Sequence, residues 1–147
     1  LAIEPSVVPW LTTDRTGNTT DELRALIGDM EIMIEEGRYD DFIDQVEVFH
    51  QQLVAKTGLK TLTFLNRMLI DLAAKHQREF QKRNPRTEEE RRKSSRAGLR
   101  SYQKLVDLID AGTVEEAVEH WRLHLRNANA TWAGGAEGQR IVDSLSP

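Results

Sequence analysis

The sequence predicts an all-α protein, an antiparallel bundle of about six helices, and three observations support this prediction. Three threonines are each followed three residues later by glutamate, a pattern that caps a helix because each side chain satisfies a free backbone N–H group. Glycines follow the stretches that these threonines open, as is typical where a helix ends in a left-handed residue. Apolar residues recur at intervals of three and four, and no useful alternating stretch typical of a strand occurs.

These signals give the elements in order. The capping boxes are Thr19 with Glu22, Thr87 with Glu90 and Thr113 with Glu116, and the terminating glycines are Gly37, Gly58 and Gly112. The expected helices are 3–11, interrupted by Pro9, then 20–36, 39–57, 60–84, 87–111 and 114–131. Connections of a few residues make consecutive helices antiparallel.

Length and composition exclude several classes of protein. A chain of 147 residues favours a single domain, and 39% apolar residues with 30% charged residues indicate that it folds. The absence of cysteine excludes disulfides, thiol catalysis and iron–sulfur ligation. No apolar run approaches the roughly 20 residues that a membrane span needs, so we expect a cytoplasmic protein that does not contact a membrane. A net charge of −4 argues against a dedicated nucleic-acid binder.

Polar side chains interrupt helix faces that should be apolar. His50 shares a face with Phe42, Val46, Phe49 and Leu53, because residues three, four and seven apart stack on a helix. Two more polar residues, Tyr102 and His124, fall on the apolar stripes of the last two helices. A buried polar group without a partner costs about 1–3 kcal/mol, so inward polar groups on three helices suggest one shared pocket. The alternative is that each is a separately satisfied core residue.

The remaining histidines give weaker signals. His120 and His124 stand four apart, a spacing at which two imidazoles can bind one metal ion. Because Trp121 and Leu125 mark the buried side, we place His120 at the rim. His76 lies on a stripe of the 60–84 helix that we expect to face the core. That stripe consists of Leu62, Leu65, Leu69, Leu72, His76 and Phe80.

Two charged segments stand out, and we interpret both as solvated surface. Half of the basic residues lie between Lys75 and Arg100, where interleaved glutamates and the lack of an aromatic platform argue against specific DNA binding. The acidic segment runs from Glu35 to Glu47. No glycine-rich phosphate loop, nucleophile elbow or H-E-x-x-H motif occurs, so the sequence disfavours an enzyme.

Three segments, taken in their order along the chain, resemble the C-terminal effector-binding (FCD) domain of FadR-type regulators in the GntR superfamily. They read IEPSVV, then LRALIGDMEIMIEEGRYDDFIDQVEVFHQQLVAKTG, then LVDLIDAGTVEEAVEHWRLHL. The most specific pieces are Phe49–His50 followed by Leu53, and AGTVEEA leading to His124. The resemblance covers residues 1–132; the order of the tail, 133–147, is left open by the sequence.

The resemblance implies an all-helical, ligand-binding domain that forms a homodimer. In the whole regulator it would follow an N-terminal winged helix that binds operator DNA, and this chain, which starts at Leu1, looks like the effector half alone. Many family members hold a divalent metal with an Asp, the His of the Phe-His pair and two further histidines. His50 and His124 match two of these ligands, whereas Val46 and Tyr102 stand at the other two positions.

Only two of the four metal-ligand positions are occupied by the expected histidines, and the functional prediction depends on this. Two imidazoles and a phenol form a poor site for zinc or nickel, so we expect either no metal or a weakly held one. The favoured function is binding of a small organic effector, a carboxylate or partly apolar metabolite, by His50, Tyr102 and His124, which controls DNA binding by the missing domain. The alternatives are a metal-binding helical protein using His50, His120 and His124, or a pure dimerisation module.

Overall fold

The computed structural model describes residues 3–13 and 18–132, with side chains as far as residue 128, and shows six helices. They are α1 (Ile3–Thr13), α2 (Asp21–Glu35), α3 (Tyr39–Ala55), α4 (Lys60–Arg83), α5 (Glu88–Ala111) and α6 (Val114–Trp132). No strand occurs in the described part of the chain, so the all-α prediction is confirmed. The predicted tail, 133–147, lies outside the described residues.

Local signals explain where the helices begin and end. At the start of α5, the Thr87 hydroxyl accepts from the Glu90 backbone N–H, and the Glu90 carboxylate accepts from the Thr87 N–H. Three connections contain a left-handed glycine, with φ of +72° at Gly37, +71° at Gly58 and +74° at Gly112. Side chains other than glycine rarely adopt this conformation, and the helices therefore stop where the sequence predicted.

One prediction about local structure is wrong. Pro9 does not interrupt α1, which runs without a break from Ile3 to Thr13; a proline removes only one backbone donor, the one that would bind the carbonyl of Pro5 in the preceding turn. The hydroxyl of Thr20, the residue that precedes α2, makes no cap and donates to Asp110 of α5 at 2.6 Å. This contact joins the start of α2 to α5.

The core forms where α1, α2, α3, α5 and α6 meet. Its largest fully buried side chains include Trp121, Phe49, Leu23, Met30 and Leu105. The first helix packs against α6, α3 and α5, so that the start of the chain is part of the core. Five packed helices therefore share one apolar interior.

The fourth helix is the exception, and its position corrects the predicted stripe. It packs mainly on α3 through Asn66, Ile70 and Ala74, whereas Leu65, Leu72 and His76 are exposed. Although α4 and α5 are consecutive, α5 packs instead on α2, α6 and α1. The two helices diverge from their short connection and leave a space between them.

No helix in the described ranges is both long and apolar enough to cross a membrane.

Candidate functional site

A buried carboxylate on α1 organises the centre of the bundle. Glu4 is only 2% exposed, and its Oε2 accepts a hydrogen bond from Trp121 Nε1 at 2.9 Å. The same oxygen lies 2.8 Å from Nδ1 of His50, itself 6% exposed. Because an ionised carboxylate only accepts, Nδ1 of His50 carries a proton and donates it. One side chain thus joins α1, α3 and α6.

A second polar group lies on α5 and α6. Nε2 of His120 donates to the carbonyl oxygen of Ser101 at 2.9 Å, since a carbonyl can only accept. The Ser101 hydroxyl lies 2.7 Å from Nδ1 of His124. A serine hydroxyl that donates here leaves the other ring nitrogen of His124, Nε2, as a hydrogen-bond donor. Ser101 therefore orients both histidines of α6.

The rings of His50, Tyr102 and His124 come together although they lie on three helices. The ring centroids of Tyr102 and His124 are 5.1 Å apart, those of Tyr102 and His50 are 5.9 Å apart, and those of His50 and His124 are 6.0 Å apart. Trp121 stacks on His124 at 4.4 Å. The predicted residues thus form one aromatic cluster, while their role in effector binding stays a prediction.

Burial controls the protonation of this cluster. It lowers the pKa of His124 from the ordinary 6.5 to about 3, with smaller contributions from the charges of His50 and His120. Burial, and to a lesser degree the negative charge of Glu4, raises the pKa of Tyr102 well above its usual value. At neutral pH the cluster therefore presents an uncharged imidazole and an uncharged phenol.

A cavity of about 790 Å³ lies in the space that α4 leaves, between α3, α4, α5 and α6. Its volume is in the range of sites for small organic molecules, roughly 300–1,000 Å³. Tyr102 and His124 line it, whereas His50 lies behind them, against Glu4. The inner wall is completed by Phe42, Val46 and Gly98.

The basic segment is mostly exposed, as the sequence predicted, and part of it also forms the outer wall of the cavity. Arg78 donates to Glu47 at 2.8 Å, and Arg91 is paired with Asp40, so basic residues of α4 and α5 are bound to the acidic segment of α3. Both arginines also line the cavity, together with Lys82. The charge therefore belongs to the wall of a pocket as well as to the surface.

Comparison with known protein families identifies the chain. Residues 1–127 match the model of the FCD domain family. The chain is an FCD domain. This domain is the regulatory, non-catalytic, C-terminal effector-binding domain of GntR-family transcription regulators. Neither a curated protein nor a solved structure gives a match.

The metal ligands that the resemblance implies are only partly present in this FCD domain. Val46 offers no donor atom, and the raised pKa of Tyr102 makes its hydroxyl a poor ligand. Within the described ranges no three His, Cys, Asp or Glu residues are grouped so that they could hold a metal ion. The side chains present do not fit a divalent metal, and weak or absent metal binding stays a prediction.

Sequence reasoning missed two residues of the FCD site, Glu4 and Ser101. The signal for Glu4 was a single acidic residue among Ile3, Pro5, Val7 and Val8, which is unusual unless it has a buried partner. Ser101 gave no signal, because a serine within a charged helix is ordinary. The two remaining histidines differ in outcome: His120 is half-buried and contacts Ser101, whereas His76, which we expected to face the core, is exposed on α4.

Replacing Glu4 by glutamine should destabilise the FCD domain. The amide NH2 would face donors that now share a carboxylate, and a buried donor left unsatisfied costs about 1–3 kcal/mol. We expect Glu4→Gln to lower the free energy of unfolding by about 2 kcal/mol in urea titrations. The control is Glu79→Gln, which removes an ion pair with Lys82 in which both side chains are more than half exposed, and it should cost less than about 1 kcal/mol. Equal losses in the two variants would contradict the central role of Glu4.

Acidification should destabilise the domain through His124. The pKa of His124 in the folded state, about 3, lies below the unfolded value of 6.5. Between these two pH values the imidazole is protonated in the unfolded chain but not in the folded domain. Stability is then complete above pH 6.5 and falls as the pH drops from 6.5 toward 3, by up to about 1.4 kcal/mol per pH unit.

Unfolding measured at pH 7 and pH 5 tests this expectation. His124→Gln should reduce the loss of stability between the two pH values, whereas His76→Gln, which replaces an exposed imidazole, should show the wild-type loss. An unchanged loss in His124→Gln would show that another group causes it.

Proposed function

We propose that this chain is the ligand-sensing domain of a FadR-type GntR regulator and binds a small organic effector in the cavity between α3 and α6. The observation that carries the proposal is the cavity itself, into which Tyr102 and His124 project from two helices. His50 stands behind them and completes the effector site through its contacts with both rings. A carboxylate or a partly apolar metabolite fits the basic outer wall and the aromatic inner wall.

The effector would act by shifting a population between two arrangements of the bundle. A ligand changes such an equilibrium only if it binds the two arrangements with different affinity. Glu4 ties α1 to His50 and Trp121, and both residues border the aromatic cluster at the site. Ligand contacts with the cluster would therefore change the packing of α1, the helix through which a preceding winged helix would be joined. The winged helix, not this domain, would bind operator DNA.

The two alternative functions predict different contacts. A metal-binding protein using His50, His120 and His124 would need the three imidazoles to converge, but Nε2 of His120 is engaged by the Ser101 carbonyl. A pure dimerisation module would not need a cavity of this size with polar side chains on its inner wall. A regulatory domain, rather than an enzyme, agrees best with the family and with the site.

A leucine at position 98 should block effector binding. Gly98 lines the cavity, and a Cβ there would lie 3.7 Å from Tyr102 and 3.8 Å from Phe42, so that a leucine would extend into the space the effector needs. Gly28 is the matched control, because it also lies within a helix and a Cβ there would have nothing within 4 Å.

The measurement is a thermal-shift screen of organic acids, amides and alcohols at millimolar concentration. A ligand at 100 times its Kd stabilises by about 2.7 kcal/mol, and we expect at least one compound to raise the Tm of the wild type and of Gly28→Leu but not of Gly98→Leu. Compounds that stabilise all three proteins equally would place binding outside the cavity.

We further propose that α4 forms the interface of a homodimer. The family resemblance implies a dimer, and Phe64, Met68 and Leu72 recur every four residues along the outer side of α4, each more than half exposed. Residues four apart form one stripe on a helix. A second copy that pairs its own α4 with this stripe would remove the largest run of apolar side chains on the described surface from water.

Leu72→Lys should therefore weaken the dimer without unfolding the domain. A lysine within an apolar interface loses hydration, and sedimentation at tens of micromolar should show a shift toward monomer. Ile32→Lys, which changes an exposed apolar residue on α2, should leave the dimer intact. A wild-type monomer at this concentration, or dimers in both variants, would contradict the interface.

A further inference from the structure

The cavity has two chemically different ends. The outer end lies beside the connection between α4 and α5 and contains Arg86 and Ser94, both exposed; the inner end contains Tyr102 and His124. Along α5, Ser94 and Tyr102 are eight residues apart, which at 1.5 Å per residue is about 12 Å. A ligand that fills the cavity thus meets two separate environments.

Formal charges are confined to the outer part. Four cationic side chains line the cavity, against a single carboxylate, that of Asp40, although the whole chain has a net charge of −4. The four are Arg78, Lys82, Arg86 and Arg91. No lysine or arginine lines the inner end, and behind that end lies the buried carboxylate of Glu4, which repels a second negative charge.

Arg86 is the cation best placed to receive an anion. Arg78 is bound to Glu47, Lys82 has Glu79 at 3.5 Å, and Arg91 is paired with Asp40 and lies over the ring of Tyr39. Within the described residues Arg86 has no carboxylate at ion-pair distance, and its guanidinium donates to the hydroxyl of Ser94 at 3.4 Å. Its remaining donors can hold a ligand carboxylate, for which a guanidinium has matching geometry.

We propose that the effector is an amphipathic organic acid held by its carboxylate at Arg86 and Ser94, with its uncharged end against Tyr102 and His124. This inference rests on the proposed function and adds the direction in which the ligand lies. A metal held by His50 and His124 would draw the carboxylate to the inner end. The charges of this chain favour the opposite direction.

A ligand pair and three variants test the direction. The probes are 4-phenylbutanoate and 4-phenylbutanamide, which differ in the charge at one end only, and calorimetric titration of the 147-residue chain gives the Kd of each. The variants are Arg86→Gln, its control Arg92→Gln, an exposed arginine of α5 that does not line the cavity, and His124→Gln at the inner end.

We expect the acid to bind more tightly than the amide, and Arg86→Gln to weaken the acid by about threefold to tenfold, between the effect of an exposed ion pair and that of a charge-assisted hydrogen bond. The Kd of the amide should hardly change in Arg86→Gln, and the Kd values of both probes should be unchanged in Arg92→Gln. His124→Gln should weaken acid and amide by the same factor, because it contacts the end that they share.

Two results would overturn the proposed direction while leaving the proposed function intact. One is an acid preference that survives Arg86→Gln but disappears in His124→Gln, which would put the carboxylate at the inner end. The other is that neither probe binds, or the amide binds as tightly as the acid, while Gly98→Leu still blocks another compound. If Gly98→Leu blocks no compound at all, the proposed function fails together with this inference.

Discussion

The carboxylate of Glu4 is the constraint around which the rest of the site is arranged. A buried carboxylate is costly unless donors surround it, and two donors from different helices, Trp121 Nε1 and His50 Nδ1, meet it within 3 Å. These bonds fix the first helix against α3 and α6. They also orient the indole ring of Trp121 and the imidazole ring of His50. Trp121 in turn stacks on His124, so the geometry of the cavity wall depends on a residue that does not line the cavity. Within the described ranges every fully buried side-chain nitrogen or oxygen has a hydrogen-bond partner, so the polar groups at the centre carry no unpaired desolvation cost.

The cavity forms because the consecutive helices α4 and α5 pack against different neighbours. Because α4 packs on α3 and α5 packs on α2 and α6, their short connection joins helices that separate as they leave it. The end of α4 and the start of α5 carry many basic residues, and the separation brings four cations to the wall of one space. A helix packed along only one side also exposes the other side, and the apolar stripe with Phe64 and Leu72 is the consequence. Cavity and proposed dimer surface thus have the same structural origin.

Relative to the metal-binding pattern that the resemblance implies, this FCD domain differs in a coordinated way. Val46 removes a charged oxygen donor, and Tyr102 replaces an imidazole by a phenol whose raised pKa keeps it neutral. Both changes make the inner end less polar and less able to balance the charge of a metal ion. Ser101 orients His124 through a hydrogen bond from its hydroxyl, a task that a metal would otherwise share. The inner end therefore presents aromatic rings without formal charge.

The sequence alone determined the helices, their ends and the inward direction of three polar residues. Periodicity and capping are local, so six helices and the left-handed glycines at 37, 58 and 112 follow from neighbouring residues. The family was also visible locally, in the Phe49–His50 pair and the segment leading to His124. Only the tertiary structure decided what lies opposite each side chain. The contact between Glu4 and Trp121 spans 117 positions, Thr20 donates to Asp110 of α5, and Leu65, Leu72 and His76 of the predicted α4 stripe proved to be exposed. Such outcomes depend on how helices pack, and packing follows from the shape and polarity of distant surfaces, which no short stretch of sequence contains.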